Sequence, residues 1–450
     1  MRLTRSLRRR AIAVALSVST VIALSGCSTT APASAAPPAS VTQSSAPVTV
    51  APSTQPKALS FLTFETPALD AAFWDTSIAN ALKEVPGITI DKIVTPGSDR
   101  NAYAKQLQAS GQFPDILSSI NPKDFLDASL LAPFDQGWLD ANFLLSNGNA
   151  IQGKSYIPPT NSQIIPLVFY NKDIFAAKGV DVPKTYADFV QAVTKLKAAG
   201  VVPIERAGAE PWAGSMTLVG LVSADVLGKD PTWIQKRYAG TVKFSDPLFA
   251  NAMQKALDLI AKGAFDPAAL SVDFKTANAN FLAGKSAMYP MGSWFTGSSY
   301  TSAEQAKHFG AFPFPTDDGA LVVPFNVGGT TSVSSKSTDV PDAVKFAQAW
   351  SLAPANLKVL IETDGAYPMM KNLKLADFGA TVSSLYSDSY GLVTADNTKV
   401  ASFGWVNNDD ALAPGINDSF YALSQALFSN RDLKSQLAQL DTDWDAATKK

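Results

Sequence analysis

The sequence predicts an α/β fold of two lobes. Strand-like and helix-like segments alternate from about residue 58 to the C-terminus, the pattern that builds a parallel sheet with helices on both faces. Roughly 390 residues lie beyond an N-terminal export signal and tail, more than one hydrophobic core normally encloses. Hydrophobic residues make up 46% of the chain and aromatics 10%, ample for two cores.

The elements follow in order. Leu59 to Phe64 is a short β-rich run, and Trp74, Ile78 and Leu82 then recur every four residues on one face of a helix. Gly87-Ile88-Thr89-Ile90 opens a second strand, Tyr103 to Ala109 forms a helix, and Phe113-Pro114-Asp115-Ile116-Leu117 leads into a third strand. Ile164 to Tyr170 reads as one further strand. Thr185 and Asp188 have the spacing of a capping box, ahead of a stripe of Tyr186, Phe189, Val190, Val193 and Leu196 that Gly200 ends. Asp246-Pro247 starts another helix, with Met253, Leu257 and Ile260 as its expected buried face and Gly263 behind it. Asp339-Val340-Pro341-Asp342 precedes a helix running through Phe346 to Trp350.

The N-terminus gives a location. Arg2, Arg5, Arg8, Arg9 and Arg10 precede an apolar run from Ala11 to Leu24, the order of a secretory signal. That run is too short for a membrane span, which takes roughly 20 apolar residues. Leu24-Ser25-Gly26-Cys27 resembles the lipobox of bacterial lipoproteins. The resemblance implies cleavage of residues 1–26 and lipidation of Cys27, the only cysteine in the chain. Both general secretion and twin-arginine export fit the basic start. Ser28 to Pro56 carries no charge and is rich in Ala, Pro, Ser and Thr, so residues 27–57 are expected to form a disordered tether.

Composition narrows the chemistry. Residues 1–26 hold five arginines and no acid, leaving 32 Lys and Arg against 39 Asp and Glu, a formal charge of −7. A nucleic-acid binder would show a basic face instead. A lipidated sole thiol leaves no disulfide, Cys nucleophile or Cys-ligated zinc. His308 is the only histidine and is expected to be an ordinary surface residue. No metal or cofactor is expected.

Four stretches resemble the extracellular solute-binding proteins of ABC importers, specifically the large family 1 that mostly binds sugars. The most specific is Ile165-Pro166-Leu167-Val168-Phe169-Tyr170-Asn171-Lys172-Asp173-Ile174-Phe175, continued by Gly179-Val180 and Pro183-Lys184-Thr185-Tyr186. Phe281-Leu282-Ala283-Gly284-Lys285-Ser286-Ala287-Met288 with Gly292-Ser293-Trp294, Gly328-Gly329 with Val333-Ser334, and Gly365-Ala366-Tyr367-Pro368 follow in the family's order. The resemblance implies a periplasmic-binding-protein-like fold, each lobe a mostly parallel sheet flanked by helices, with ligand in the cleft at the hinge. Placed on this sequence, the first lobe comprises residues 58–164 and 312–350, the second 165–311 and 351–450, with Phe312-Pro313-Phe314-Pro315 near a crossing. It further implies a monomer on the extracytoplasmic face, delivering its ligand to membrane permease subunits.

Sugars offer a C–H face that aromatic rings cover and hydroxyls that carboxylates and amides bond. The expected ligand residues are Trp294, placed by the family block, Trp212 in a Gly- and Pro-rich loop, and Trp405, with packing in the core as the alternative for each and the first expectation for Trp405. Polar candidates at the ends of first-lobe strands are Glu65, Ser118, Ser119 and Asn121, and Gly329 either offers backbone at the cleft edge or simply makes a turn. Glu65, Ser118, Ser119 and Asn121 could equally cap helices. Trp294→Ala is expected to weaken binding and leave the empty protein's unfolding temperature nearly unchanged. A glycosidase would need two acids across a sugar bond; none stands out, since Asp317-Asp318-Gly319 and Asn408-Asp409-Asp410 read as turns. A scaffold lipoprotein without a small ligand is the other alternative.

Overall fold

The computed structural model describes residues 56–97, 99–429 and 432–449. The expected signal at 1–26, Cys27 and the tether up to residue 55 lie outside the described residues. Among the described residues no helix is long and apolar enough to cross a membrane.

The first-lobe sheet has five strands in the order Ile88–Val94, Lys57–Thr63, Ile116–Ser118, Thr331–Ser334 and Leu131–Ala132. Its first three strands are parallel and the last two pairings antiparallel. Helices Ala71–Leu82 and Val340–Leu352 cover it. Trp74 and Trp350 stack there at 5.6 Å, each edge-on to Phe61. Burying three such rings dominates a core of this size.

The second-lobe sheet runs Phe309–Phe312, Leu167–Asn171, Ser286–Met291 and Val202–Ile204. Only its last pair is parallel. The α/β, two-lobed class therefore holds while the sheets are mixed, because distant segments such as Thr331–Ser334 and Phe309–Phe312 return antiparallel, which local periodicity does not reveal. Helix Tyr186–Ala198 begins with the Thr185–Asp188 capping box. Helix Pro247–Ala261 buries Phe249, Ala252, Met253, Ala256 and Leu259; Leu257 and Ile260, expected at its buried face, are half-exposed at the edge of the stripe. Helices Ile416–Ser429 and Leu433–Thr448 close the chain. The latter is pinned by Asp441, which accepts from Phe244 N at 2.7 Å, from Ser245 N and Oγ, and pairs with buried Arg237.

A third sheet, Tyr367–Pro368, Asn161–Ile164, Val322–Gly328 and Thr398–Ala401, takes its strands from the connections between the other two. The run read as one strand, Ile164 to Tyr170, is two: Asn161–Ile164 belongs to this connecting sheet and Leu167–Asn171 to the second lobe. The change occurs over Ile165 and Pro166, joined by a cis peptide bond, and Pro166 has no N–H to continue a ladder. A continuous apolar run conceals such a switch. Val322–Gly328 is a second passage, leading from Phe309–Phe312 toward Thr331–Ser334.

Candidate functional site

The three tryptophans expected in the cleft come together. Trp212 and Trp294 lie 6.1 Å apart between ring centroids, Trp212 and Trp405 6.1 Å, and Trp294 and Trp405 5.6 Å. Phe274 packs on Trp212 at 5.1 Å and Tyr300 on Phe274 at 5.8 Å. Residues separated by almost 200 positions thus build one aromatic wall. Trp212 and Trp405 are half-buried, whereas Trp294 is only 8% exposed.

Local structure places each ring. Trp294 is the second residue of the short turn Ser293–Thr296 after strand Ser286–Met291 and folds over Gly292, where a Cβ would come within 2.1 Å of its ring. Trp212 sits in helix Pro211–Gly214, held from below by buried Arg206. Arg206 Nε donates to Gly214 O at 3.0 Å and its guanidinium stacks on Phe428 at 3.7 Å. Burial pushes that guanidinium down to about 10. Gly208 leaves room for it, since a Cβ there would lie 2.4 Å from Arg206 Nη1. Trp405 follows Gly404, whose φ of +77° suits glycine.

Polar atoms around this wall remain unpaired. Trp405 Nε1 and Asn417 Oδ1 are buried without a hydrogen-bond partner among the described residues. A buried N–H or C=O normally has one.

The first-lobe candidates divide. Glu65 is exposed just beyond the end of the first strand. Ser118 is fully buried and its hydroxyl donates to Leu62 O at 2.7 Å. Ser119 has φ +47°, and its carbonyl accepts from Arg100 Nε at 3.1 Å. Asn121 Oδ1 accepts from Lys123 N at the start of helix Lys123–Leu126. Gly329 packs against Pro158 O, which a Cβ would approach to 2.1 Å. Ser118, Asn121 and Gly329 are thus engaged within their own lobe.

Arg100, Tyr421 and Tyr300 went unnoticed in the sequence. Arg100 lies 3.9 Å over Phe64 and faces Tyr421 of the second lobe. Burial holds its guanidinium down to about 10, while Tyr421 and Asp99 act the other way. Burial likewise raises the Tyr421 phenol, with Asp418 adding to it. Neither residue has a sequence signal, because their meeting depends on how the lobes face each other. Tyr300 also reaches across, to the Thr66 side chain and the Ala68 backbone. His308 is exposed, with Nδ1 2.7 Å from Asp173 Oδ2. Among the described residues no cluster of three or more His, Cys, Asp or Glu could hold a metal.

The profile of the bacterial extracellular solute-binding protein family matches residues 65–356. The chain belongs to this family. A probable sugar-binding periplasmic protein of Mesorhizobium japonicum is 27% identical over 317 residues, 67% of this chain and 71% of that one. A multiple sugar-binding protein of Streptococcus mutans is 26% identical over 310 residues, 65% of this chain and 70% of its own. The solved structure of a chitin oligosaccharide binding protein superposes with a TM-score of 0.74 at 22% identity, covering 87% of this chain and 99% of that one. Family members bind solutes outside the cytoplasm rather than transform them, so this solute-binding protein is a receptor and not an enzyme.

Proposed function

We propose that this solute-binding protein captures a carbohydrate between its two lobes and delivers it to the permease of an ABC importer. The observation that carries the reading is the convergence of Trp212, Trp294 and Trp405 within 5.6 to 6.1 Å of one another, beside the unpaired Trp405 Nε1 and Asn417 Oδ1. Indole faces cover sugar C–H groups and the unpaired atoms bond hydroxyls. The relatives named for sugar and chitin oligosaccharide binding support the same ligand class. Glu65, Ser119, Arg100 and Tyr421 complete the site from the facing rims.

In this reading residues 58–164 with 331–350 form one lobe, residues 165–312 with the C-terminal helices the other, and the connecting sheet, which includes Val322–Gly328, is the hinge. Ligand stabilises the closed arrangement through contacts that the open one lacks. Lipidated Cys27 and the uncharged segment behind it hold the monomer at the outer face of the membrane, within reach of the permease. Two acyl chains are sufficient for firm attachment.

The test is an oligosaccharide panel added to the purified protein, read by thermal shift and by chromatography of the sugars. Saturable stabilisation with no product is expected. Release of shorter sugars, or no stabilisation by any carbohydrate, would contradict the reading. Replacing Cys27 by Ser should release the protein from the membrane fraction and leave sugar binding intact.

A further inference from the structure

The loop from Trp405 to Ala411 has two ends with different duties. At one end Trp405 stands in the aromatic wall. Just past the other, Leu412, Ala413 and Ile416 are buried in the second-lobe core. Between them Asn408 Oδ1 accepts from Asp410 N at 2.9 Å, so the turn organises itself. Three first-lobe elements then grip it. Asn408 Nδ2 donates to Gly148 O at 3.2 Å, and Gln152 N donates to Asp409 Oδ1 at 2.9 Å. Lys123 Nζ donates to Asp409 O at 2.7 Å, to Ala411 O at 2.8 Å and to the Tyr238 hydroxyl at 3.1 Å. Its ammonium also lies 4.4 Å from the centre of the Tyr238 ring.

These contacts are not equivalent. Gly148 abuts the connecting sheet, where a Cβ would meet Val327 at 2.9 Å, and neighbouring Asn149 donates to Gly328 O. Contacts beside a hinge change least when lobes rotate. Lys123 belongs to helix Lys123–Leu126, anchored in the first lobe through buried Phe125, and all three of its acceptors are on the facing side. One ammonium saturates its three N–H donors on carbonyls and a phenol, with the Asp409 and Asp410 carboxylates nearby. Rotation apart returns those donors to water.

We propose that Lys123 is a releasable clasp between the lobes, which holds the Trp405–Ala411 loop when they close and thereby sets Trp405 against the ligand. The proposal rests on closure of two lobes but not on the ligand being a sugar. Lys123 touches no part of the aromatic wall, so it is a positioning residue.

The test reads conformation without ligand. In the full chain, Cys27→Ser removes the only native thiol, and Glu84→Cys with Lys262→Cys, both exposed, accept a fluorophore pair. Single-molecule energy transfer then gives the inter-lobe distance distribution. The expected wild-type distribution contains a short-distance population. Lys123→Met should shrink it at least fivefold, while Lys123→Arg, which keeps the charge and the donors, should retain most of it. Tyr238→Phe, which removes one acceptor and the phenol's own 2.9 Å bond to Ala411 O, should give an intermediate loss and serves if Lys123→Met does not fold. A wild-type distribution lacking the short population, or folded Met and Phe variants matching wild type, would overturn the clasp. Failure of the sugar panel alone would leave it standing.

Discussion

Trp405→Phe keeps an aromatic face and removes the indole N–H that has no partner among the described residues. One hydrogen bond is worth about 1 kcal/mol, so carbohydrate affinity should fall roughly fivefold in calorimetric titration while the unfolding temperature of the empty protein stays put. Trp294 behaves differently from its sequence expectation. At 8% exposure within the main apolar cluster, Trp294→Ala opens a cavity and should destabilise even the empty protein, by about 3 kcal/mol, read by denaturant unfolding. Asp364 supplies a pH test. Burial raises its carboxyl to about 7, with Gln163 opposing, whereas an unfolded chain keeps it near about 3.9. The folded state thus holds that proton more tightly, so the group's stabilising effect is full below pH 4 and is lost as pH rises toward 7. Asp364→Asn should flatten this fall, unfolding hotter than wild type at pH 8 and no hotter at pH 4. That Trp212, Trp294 and Trp405 would come together was anticipated from the family block at Trp294 and the Gly- and Pro-rich loop at Trp212, with Trp405 as the weakest of the three. Arg100, Tyr421 and Lys123 carried no such signal, because the contacts each makes are with groups far away in sequence.

Single elements show where local rules suffice. The capping box of helix Tyr186–Ala198 was read from Thr185 and Asp188 alone, since its bonds span three residues. Thr185→Ala should cost about 1 kcal/mol of stability, measured by denaturant unfolding, with carbohydrate affinity unchanged. The loop bearing Trp212 makes the opposite prediction. A Cβ at position 208 would sit 2.3 Å from Ala269 O and 2.4 Å from Arg206 Nη1, so Gly208→Ala should weaken both stability and binding as Trp212 is displaced. Neither contact is readable from Gly208 itself, which looks like any loop glycine in sequence. The division of Ile164 to Tyr170 between two sheets was hidden for a related reason: apolar character reports burial, and both halves are buried.

At the scale of the molecule, alternation and length predicted two lobes, and the mixed strand order shows how the chain passes between them at Asn161–Leu167 and at Val322–Gly328. Those passages leave the three tryptophans on one side and, on the other, Arg100 in helix Arg100–Ala109 with Glu65 and Ser119 just past the ends of strands Lys57–Thr63 and Ile116–Ser118. A receptor built this way needs ligand contacts that are stronger when closed, and a differential of roughly 5.5 kcal/mol would carry it from 1:99 to 99:1. The most direct measurement is intrinsic tryptophan fluorescence of wild type, Trp212→Ala and Trp405→Ala during titration with the oligosaccharide panel, with the sugars recovered and analysed afterwards. The account predicts a saturable change in wild type, affinity at least tenfold weaker in both variants, and intact sugars. Equal affinity in all three proteins, or cleaved sugars, would contradict it.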